Sequence, residues 1–249
     1  MLKTIVIDPG HGGTDSGAAG NGLLEKDVNL SLAQLVTAQL APFDVQIKLT
    51  RMTDTFISLT NRTDYANRLG ADFFCSLHTN AGGGTGFESY IHTSASRRSI
   101  TAGEVIHNRL AAFYKQHNFA DRGLKTANFA VLRETRIPAV LLENLFIDNS
   151  RDAAALKDTA FLQNLAGAIA TGLVSALDLP RKAGQPTPSP TVKPTPMPTA
   201  TPTPIPHWAR AAFDFLKKQG LVTEEHNLDS PVSWGEFSVV LKRLWDKLK

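Results

Sequence analysis

Four side chains that can bind a metal or move a proton lie at the ends of predicted strands or helices. His11 follows the first predicted strand in the turn Asp8-Pro9-Gly10-His11-Gly12-Gly13, Glu25 directly precedes a predicted helix, and His78 and Glu143 each end a strand. Enzymes built on α/β sheets place their sites at such termini. Taken singly, each residue has an ordinary alternative: strand-end histidines often serve only as turn or hydrogen-bonding residues, and Glu25 also fits a first-turn helix carboxylate.

Glu143 is the most informative of the four. It ends the apolar run Pro138–Leu142, where burial of a carboxylate without a partner would be costly, so its charge indicates a nearby metal or a proton to move. Two histidines and one carboxylate, with a fourth position for water, are the composition of a hydrolytic zinc site, and a second carboxylate supplies a general base. Separate segments of the chain must bring these residues together, which their spacing does not establish.

The elements that position these residues occupy about the first 180 residues, where short apolar runs alternate with helical periods. This pattern predicts an α/β domain with a twisted, mostly parallel (mixed) sheet of about six strands flanked by helices. The predicted strands are Lys3–Asp8, Val45–Thr50, Asp72–His78, Phe87–His92, Phe129–Arg133 and Ala139–Glu143. The predicted helices are Lys26–Leu40, Ser58–Leu69, Ser99–His117 and Phe161–Leu177.

The composition excludes disordered, collagenous and disulfide-stapled chains, since 42% of the 249 residues are hydrophobic and the chain has one cysteine. Cys75 cannot form an intramolecular disulfide, so any metal must be held by histidines and carboxylates. Residues 1–180 carry 16 positive and 17 negative charges, and residues 207–249 carry seven and six. Neither segment has the basic footprint of a nucleic-acid binder. No segment reaches about 18 consecutive apolar residues, so we expect no membrane span.

Three segments divide the chain: a catalytic domain at 1–180, a linker at 181–206 and a small helical hairpin at 207–249. Nine of the 14 prolines fall in the linker, a Pro/Thr-rich composition typical of a semi-rigid spacer. The tail contains all three tryptophans, at 208, 234 and 245, in two predicted helices separated near Gly220. At about 43 residues it lies near the limit of what folds alone, so we expect it to pack on a partner or on a second copy of the chain; the alternative is a monomer with a marginally stable, partly frayed tail.

The first 180 residues closely resemble the zinc-dependent N-acetylmuramoyl-L-alanine amidases of the third amidase family, which include bacterial autolysins and phage endolysins. The resemblance spans about residues 2–178, in order and without large gaps. The motifs that carry it are Asp8-Pro9-Gly10-His11-Gly12-Gly13, Glu25-Lys26-Asp27, Thr50-Arg51, Arg62 to Leu69, Ser76-Leu77-His78-Thr79-Asn80-Ala81, Gly86-Phe87-Glu88, Arg122-Gly123-Leu124-Lys125 and Pro138 to Glu143.

Carried over position by position, the resemblance implies that His11, Glu25 and His78 bind Zn²⁺ and that Glu143 is the catalytic carboxylate. It implies hydrolysis of the amide that joins N-acetylmuramic acid to L-alanine in peptidoglycan. The sequence departs from the family at Leu145, where these enzymes usually have glycine two residues after the glutamate, so the local turn is expected to differ.

Four further polar residues are candidates for substrate contact or for orienting the ligands: Asn80, Arg51, Arg62 and Arg122. Surface or helix-pairing roles are equally compatible with the arginines. The tail resembles one S-layer-homology repeat, although Ser233-Trp234-Gly235-Glu236 lacks the arginine expected to bind anionic wall polymers. For this tail, the partners considered are anionic secondary wall polymers, as the resemblance implies, and a second copy of the chain in a homo-oligomer. For the catalytic domain, the partner considered is peptidoglycan.

Two other function classes remain open at this stage: a zinc peptidase or deacetylase acting on peptidoglycan, and a non-catalytic wall-binding module. The first residues run directly into a strand, without the basic start, long apolar region and cleavage site of a signal peptide. We therefore expect a protein that acts at the cell wall after cytoplasmic accumulation and holin-type release, or a sequence from which an export signal has been trimmed.

Overall fold

A computed structural model describes residues 2–183 and Lys218; the predicted linker and tail lie otherwise outside the described residues. Contacts divide the chain into two units, Met1–Thr187 and Pro188–Lys249, and the fold below is that of the first. Its strands are β1 (Lys3–Pro9), β2 (Ala19–Gly20), β3 (Leu23–Leu24), β4 (Val45–Leu49), β5 (Phe73–Asn80), β6 (Phe87–His92), β7 (Asp121–Ala127) and β8 (Ala139–Phe146). Its helices are α1 (Glu25–Leu40), α2 (Leu59–Leu69), α3 (Arg97–Gln116), α4 (Ala130–Arg133), α5 (Ser150–Lys157) and α6 (Thr159–Ala176).

Six of the strands form one mixed sheet in the order β4-β1-β5-β8-β6-β7. The first four of these are parallel to one another, β6 is antiparallel to β8, and β7 is parallel to β6. The carboxyl ends of β1, β5 and β8 therefore meet at one edge of the sheet. The prediction of an α/β fold with a mixed sheet of about six strands flanked by helices is confirmed.

Helices cover both faces of the sheet because the central strands alternate two sets of apolar residues. On one face, Ile5, Ile7 and Leu77 pack in the larger core cluster with α1, α3 and α6. On the other face, Val6 and Phe74 pack in a smaller cluster with residues of α2 and α4. The smaller cluster ends before the carboxyl edge of the sheet, where polar side chains replace apolar ones.

Helix α6 is long and apolar enough, with 18 residues and a mean hydropathy of 1.2, to meet the length and composition criteria for a membrane span. In the fold it packs against α1 and α3, and Leu165, Ile169 and Leu173 are fully buried there. Core helices of folded domains meet the same two criteria, and this packing is that of a core helix.

The sixth strand is not the predicted one. The prediction of a strand at Phe129–Arg133 is wrong, because Ala130–Arg133 form the short helix α4. Val131 and Leu132 are adjacent and both buried in the smaller cluster, which a strand with alternating faces would not permit. The sheet is completed instead by β7, whose sequence DRGLKTA has no apolar alternation. Strands β5 and β8 also extend past the predicted ends at His78 and Glu143, to Asn80 and Phe146.

Candidate metal centre and active site

Three of the predicted site residues meet at the carboxyl edge of the sheet. His11 follows β1, Glu25 is the first residue of α1, and His78 lies near the end of β5. One potential ligand atom from each lies within 4.8 Å of the others. The His11 Nε2 atom is 3.2 Å from Glu25 Oε2, and the His78 Nδ1 atom is 2.9 Å from Glu25 Oε1. Residues separated by up to 67 positions in the chain thus form one candidate metal site.

Two glycines allow the ligands to approach so closely. A Cβ atom at Gly10 would lie 2.3 Å from the Cε1 atom of His78, and one at Gly17 would lie 2.6 Å from Glu25 Oε2 and from the His11 ring. His11 itself has a left-handed backbone, with φ of 61°, which turns the chain sharply at the end of β1. Side chains at either glycine would displace the ligands.

Hydrogen bonds outside the cluster hold its members in place. Asp15 Oδ2 lies 2.9 Å from His11 Nδ1, and since an ionised carboxylate only accepts, Nδ1 carries the proton and Nε2 is left as a ligand atom. Glu25 accepts hydrogen bonds from the backbone N–H groups of Ala18, at 2.9 Å, and Thr79, at 3.1 Å. These contacts preorganise the histidine ring and the carboxylate.

The cluster stabilises positive charge between its members. Burial opposes protonation of His11, but hydrogen bonds and the charges of Glu25 and Asp15 raise its pKa to about 9. Burial likewise opposes ionisation of Glu25, yet hydrogen bonds from His11 and His78 hold the pKa of that carboxyl well below its usual range. Two imidazoles and an ionised carboxylate that share bound protons are a donor set that fits a divalent cation such as zinc.

Glu143 lies beside this cluster, directly opposite His78 in the pairing of β5 with β8. Its Oε2 atom is shielded from solvent and, among the buried side-chain nitrogen and oxygen atoms of residues 2–183, is the one without a hydrogen-bond partner. Burial and the neighbouring charges of Glu25 and Glu88 raise the pKa of Glu143 to about 7, against the opposing effect of His78. A carboxyl with this pKa and a free oxygen can both take and return a proton near neutral pH.

Arg51 and Arg62 are buried, and both donate hydrogen bonds to the backbone around the candidate ligand His11. Arg51 donates to the carbonyls of Pro9 and Gly10, at 3.0 and 2.9 Å. Arg62 donates to the carbonyls of Pro9 and His11 and forms a buried ion pair with Asp8, whose Oδ1 atom is 2.7 Å from Nη1. The structure therefore places both arginines where they hold the turn that carries His11.

The other two candidates, Asn80 and Arg122, both donate hydrogen bonds to Glu88, a residue for which the sequence predicts no role. This carboxylate is 4% exposed and accepts hydrogen bonds from Asn80, Arg122, Tyr90 and Lys125. The sequence offers only a weak signal for Glu88, a carboxylate directly after Phe87 in a predicted strand, and its four partners are brought together by the fold.

Leu145 departs from the family pattern in a way that the backbone explains. Between the pairs His78–Glu143 and Asn80–Phe146, strand β8 has one residue more than β5, which is a β-bulge. Leu145 takes the left-handed conformation that favours glycine, with φ of 67°, and its side chain is fully buried in the larger core. The bulge turns Leu145 into the core and Phe146 to the face that carries Glu143.

The open α/β sheet and the His-Glu-His cluster beside a buried carboxylate are features of a candidate metal-dependent hydrolase. Residues 5–175 match the sequence profile described as N-acetylmuramoyl-L-alanine amidase. The chain belongs to this amidase family, as its resemblance predicts.

Three similar proteins illustrate the relationship. The amidase CwlM of Bacillus licheniformis is 48% identical over 185 residues, covering 74% of this chain and 72% of the relative. The endolysin of Bacillus phage SPP1 is 44% identical over 192 residues, covering 76% and 71% of the two chains. The solved catalytic domain of the amidase CwlV from Bacillus (Paenibacillus) polymyxa var. colistinus superposes with a TM-score of 0.66 at 38% identity, covering 71% of this chain and 99% of that structure.

Proposed function

We propose that this protein is a zinc-dependent N-acetylmuramoyl-L-alanine amidase that hydrolyses the amide between the lactyl group of N-acetylmuramic acid and the L-alanine of the stem peptide in peptidoglycan. The observation that carries the proposal is the unpartnered, buried oxygen of Glu143 next to the cluster of His11, Glu25 and His78. Family membership supplies the substrate class.

Zinc held by His11, Glu25 and His78 would polarise the lactyl carbonyl and lower the pKa of an attacking water. Glu143 takes the proton of this water through Oε2 and returns it to the nitrogen of the alanine as the C–N bond breaks. The products are the lactyl carboxylic acid on the glycan and a free α-amine on the peptide. Asp15 keeps the His11 ring in one orientation, and Ala18 and Thr79 do the same for the Glu25 carboxylate.

The identity of the new ends tests the reaction. Digestion of purified peptidoglycan, followed by mass spectrometry, should give intact glycan strands and peptides with a free L-alanine amine. A chelator should abolish their release, and added zinc should restore it. Internal peptide ends would indicate a peptidase, released acetate a deacetylase, and the absence of any new end a binding module; each of these results would refute the amidase.

The roles of the two carboxylates are separable by substitution. Glu143→Gln should keep zinc and lower turnover by about 10² to 10⁴, the usual contribution of general acid-base catalysis. Glu25→Gln should lose zinc, because one of three protein ligands is weakened. Glu104→Gln, at an exposed position on α3, is the matched control and should change neither property. If Glu143→Gln lost zinc and Glu25→Gln kept it, the two roles would be exchanged.

The protein acts at the cell wall, in keeping with its family and its similarity to a phage endolysin. For residues 207–249 we propose wall anchoring, through anionic polymers, or self-association, with residues 181–206 as the spacer. The concentration of tryptophans in so short a segment supports the proposal. Light scattering on the whole chain and on residues 1–180 tests self-association. An oligomer formed by the whole chain but not by residues 1–180 would support it, and monomers in both samples would refute it.

A further inference from the structure

A row of polar side chains crosses the sheet from the metal site toward its far edge. His78 on β5 pairs with Glu143 on β8, and Glu143 pairs with Glu88 on β6. Residues that pair directly across strands share one face of a sheet, so these three side chains lie on the same face. At the next strand, β7, Arg122 and Lys125 reach Glu88. The row thus runs from the candidate zinc ligands through the base to two cations.

Glu88 is fully occupied as an acceptor and holds both cations in place. Its Oε1 atom accepts from Asn80 Nδ2 at 2.7 Å and from the Tyr90 hydroxyl at 2.8 Å. Its Oε2 atom accepts from Arg122 Nε at 2.8 Å and from Lys125 Nζ. One carboxylate faces two cations, so the group keeps an excess positive charge. These hydrogen bonds and charges outweigh burial and lower the pKa of Glu88 to about 2, so its own charge persists at neutral pH.

The guanidinium of Arg122 is hydrogen-bonded along one edge. Its Nε atom pairs with Glu88, and its two terminal nitrogens have no partner within residues 2–183. The guanidinium carbon lies 4.9 Å from the centre of the Phe146 ring, which the bulge in β8 brings to this face. The side chains of Arg122 and Lys125 are 38% and 39% exposed. An arginine fixed on one edge and stacked on a ring presents a preoriented fork that matches a carboxylate.

We propose that Arg122 and Lys125 form a subsite that binds a free carboxylate of the stem peptide, on the side of the leaving amine. This proposal depends on the amidase function. The direction follows from the row: the carbonyl is activated at the metal ligands, Glu143 protonates the amine beyond it, and the peptide continues from that amine toward Glu88 and β7. Two strand spacings separate Glu143 from Arg122, roughly 10 Å. At about 3.4 Å per extended residue, the carboxylate belongs to one of the first three residues of the peptide.

Two synthetic substrates test the subsite: an N-acetylmuramoyl tripeptide with free carboxylates and the same molecule with every carboxylate amidated. The wild-type protein should prefer the free form by about ten- to hundredfold in kcat/KM, the range for charge-assisted hydrogen bonds. In Arg122→Gln this ratio should fall to near one, and in Lys125→Gln it should fall part of the way. Arg109→Gln, at an exposed position on α3, is the matched control and should keep the wild-type ratio.

Zinc content and the melting temperature of each variant separate a binding role from a structural one. A wild-type ratio near one, or an Arg122→Gln variant that keeps the wild-type ratio, would overturn the proposal. Competitive inhibition by inorganic phosphate that disappears in Arg122→Gln, without discrimination between the two peptides, would overturn it in favour of a phosphate of a wall polymer. If the wild-type protein released no alanine amine from either substrate, the amidase function itself would fail.

Discussion

Replacing Leu145 should reverse the usual order of stability between alanine and glycine. The residue combines a fully buried side chain with a left-handed backbone at φ of 67°. Leu145→Ala removes the buried side chain and keeps the strained backbone, which should cost about 2–5 kcal/mol. Leu145→Gly loses one further methyl group, but it also removes the steric clash of Cβ in the left-handed region. That clash destabilises the folded state by about 1–2 kcal/mol. We therefore expect the glycine variant to be more stable than the alanine variant by about 1 kcal/mol.

Leu142 supplies the matched control, because it is fully buried in the same strand and is absent from the described residues with positive φ. At this position glycine should be less stable than alanine by about 0.5–1 kcal/mol. Urea unfolding followed by far-ultraviolet circular dichroism measures the free energy of unfolding of all four variants. If Leu145→Gly were less stable than Leu145→Ala, backbone strain at the bulge would not contribute significantly to the free energy of unfolding.

Three further predictions concern the metal, the buried ion pair and the base. His11→Ala and His78→Ala should each lose the single zinc and all activity, because two protein ligands remain; stoichiometric zinc in either variant, by plasma mass spectrometry, would contradict the ligand assignment. Arg62→Met should destabilise the fold by about 3–5 kcal/mol, because it leaves the Asp8 carboxylate buried without its partner, and Asp8→Asn should restore part of this loss in the double variant; melting curves that match the wild type would refute it. Turnover should rise with pH and level off at or below about pH 7, because the raised pKa of Glu143 keeps this carboxyl protonated at lower pH. A bound cation can only lower that pKa. A pH–rate profile with its acid limb well above pH 7 would identify a different base.

The sequence predicts those elements whose buried residues form a recognisable apolar pattern along the chain. Strands β1, β5 and β8 are apolar runs that lead into a turn or a charged residue, so local pattern places the four candidate site residues at the ends of elements. That three of them form one cluster and that Glu143 pairs with His78 is set by the fold, not by their spacing along the chain. Strand β7 could not be found in this way, because it is an edge strand held mainly by backbone pairing with β6 and its side chains are mostly polar.

Local sequence pattern also does not predict which residues that are far apart in the chain contact each other. The sequence marks Arg62 as a candidate for orienting the ligands or for a helix-pairing role, and only the packing of α2 against the end of β1 shows that it meets Asp8, 54 positions away. The cluster around Glu88 arises because β6 and β7 lie side by side, a pairing that the sequence does not display. In both cases the partner is set by tertiary structure and not by spacing along the chain.

The position of β8 makes the order of synthesis matter for this enzyme. It is the last strand of the main sheet to leave the ribosome, yet it lies between β5 and β6, so the sheet before its arrival consists of two separate parts, β4-β1-β5 and β6-β7. The candidate metal ligands belong to the first part, and Glu88 with Arg122 and Lys125 belongs to the second. Glu143 arrives on the strand that joins them. A nascent or truncated chain that ends before residue 139 therefore contains all three candidate metal ligands but lacks the proposed base, and the complete site forms only when the final strand enters the sheet.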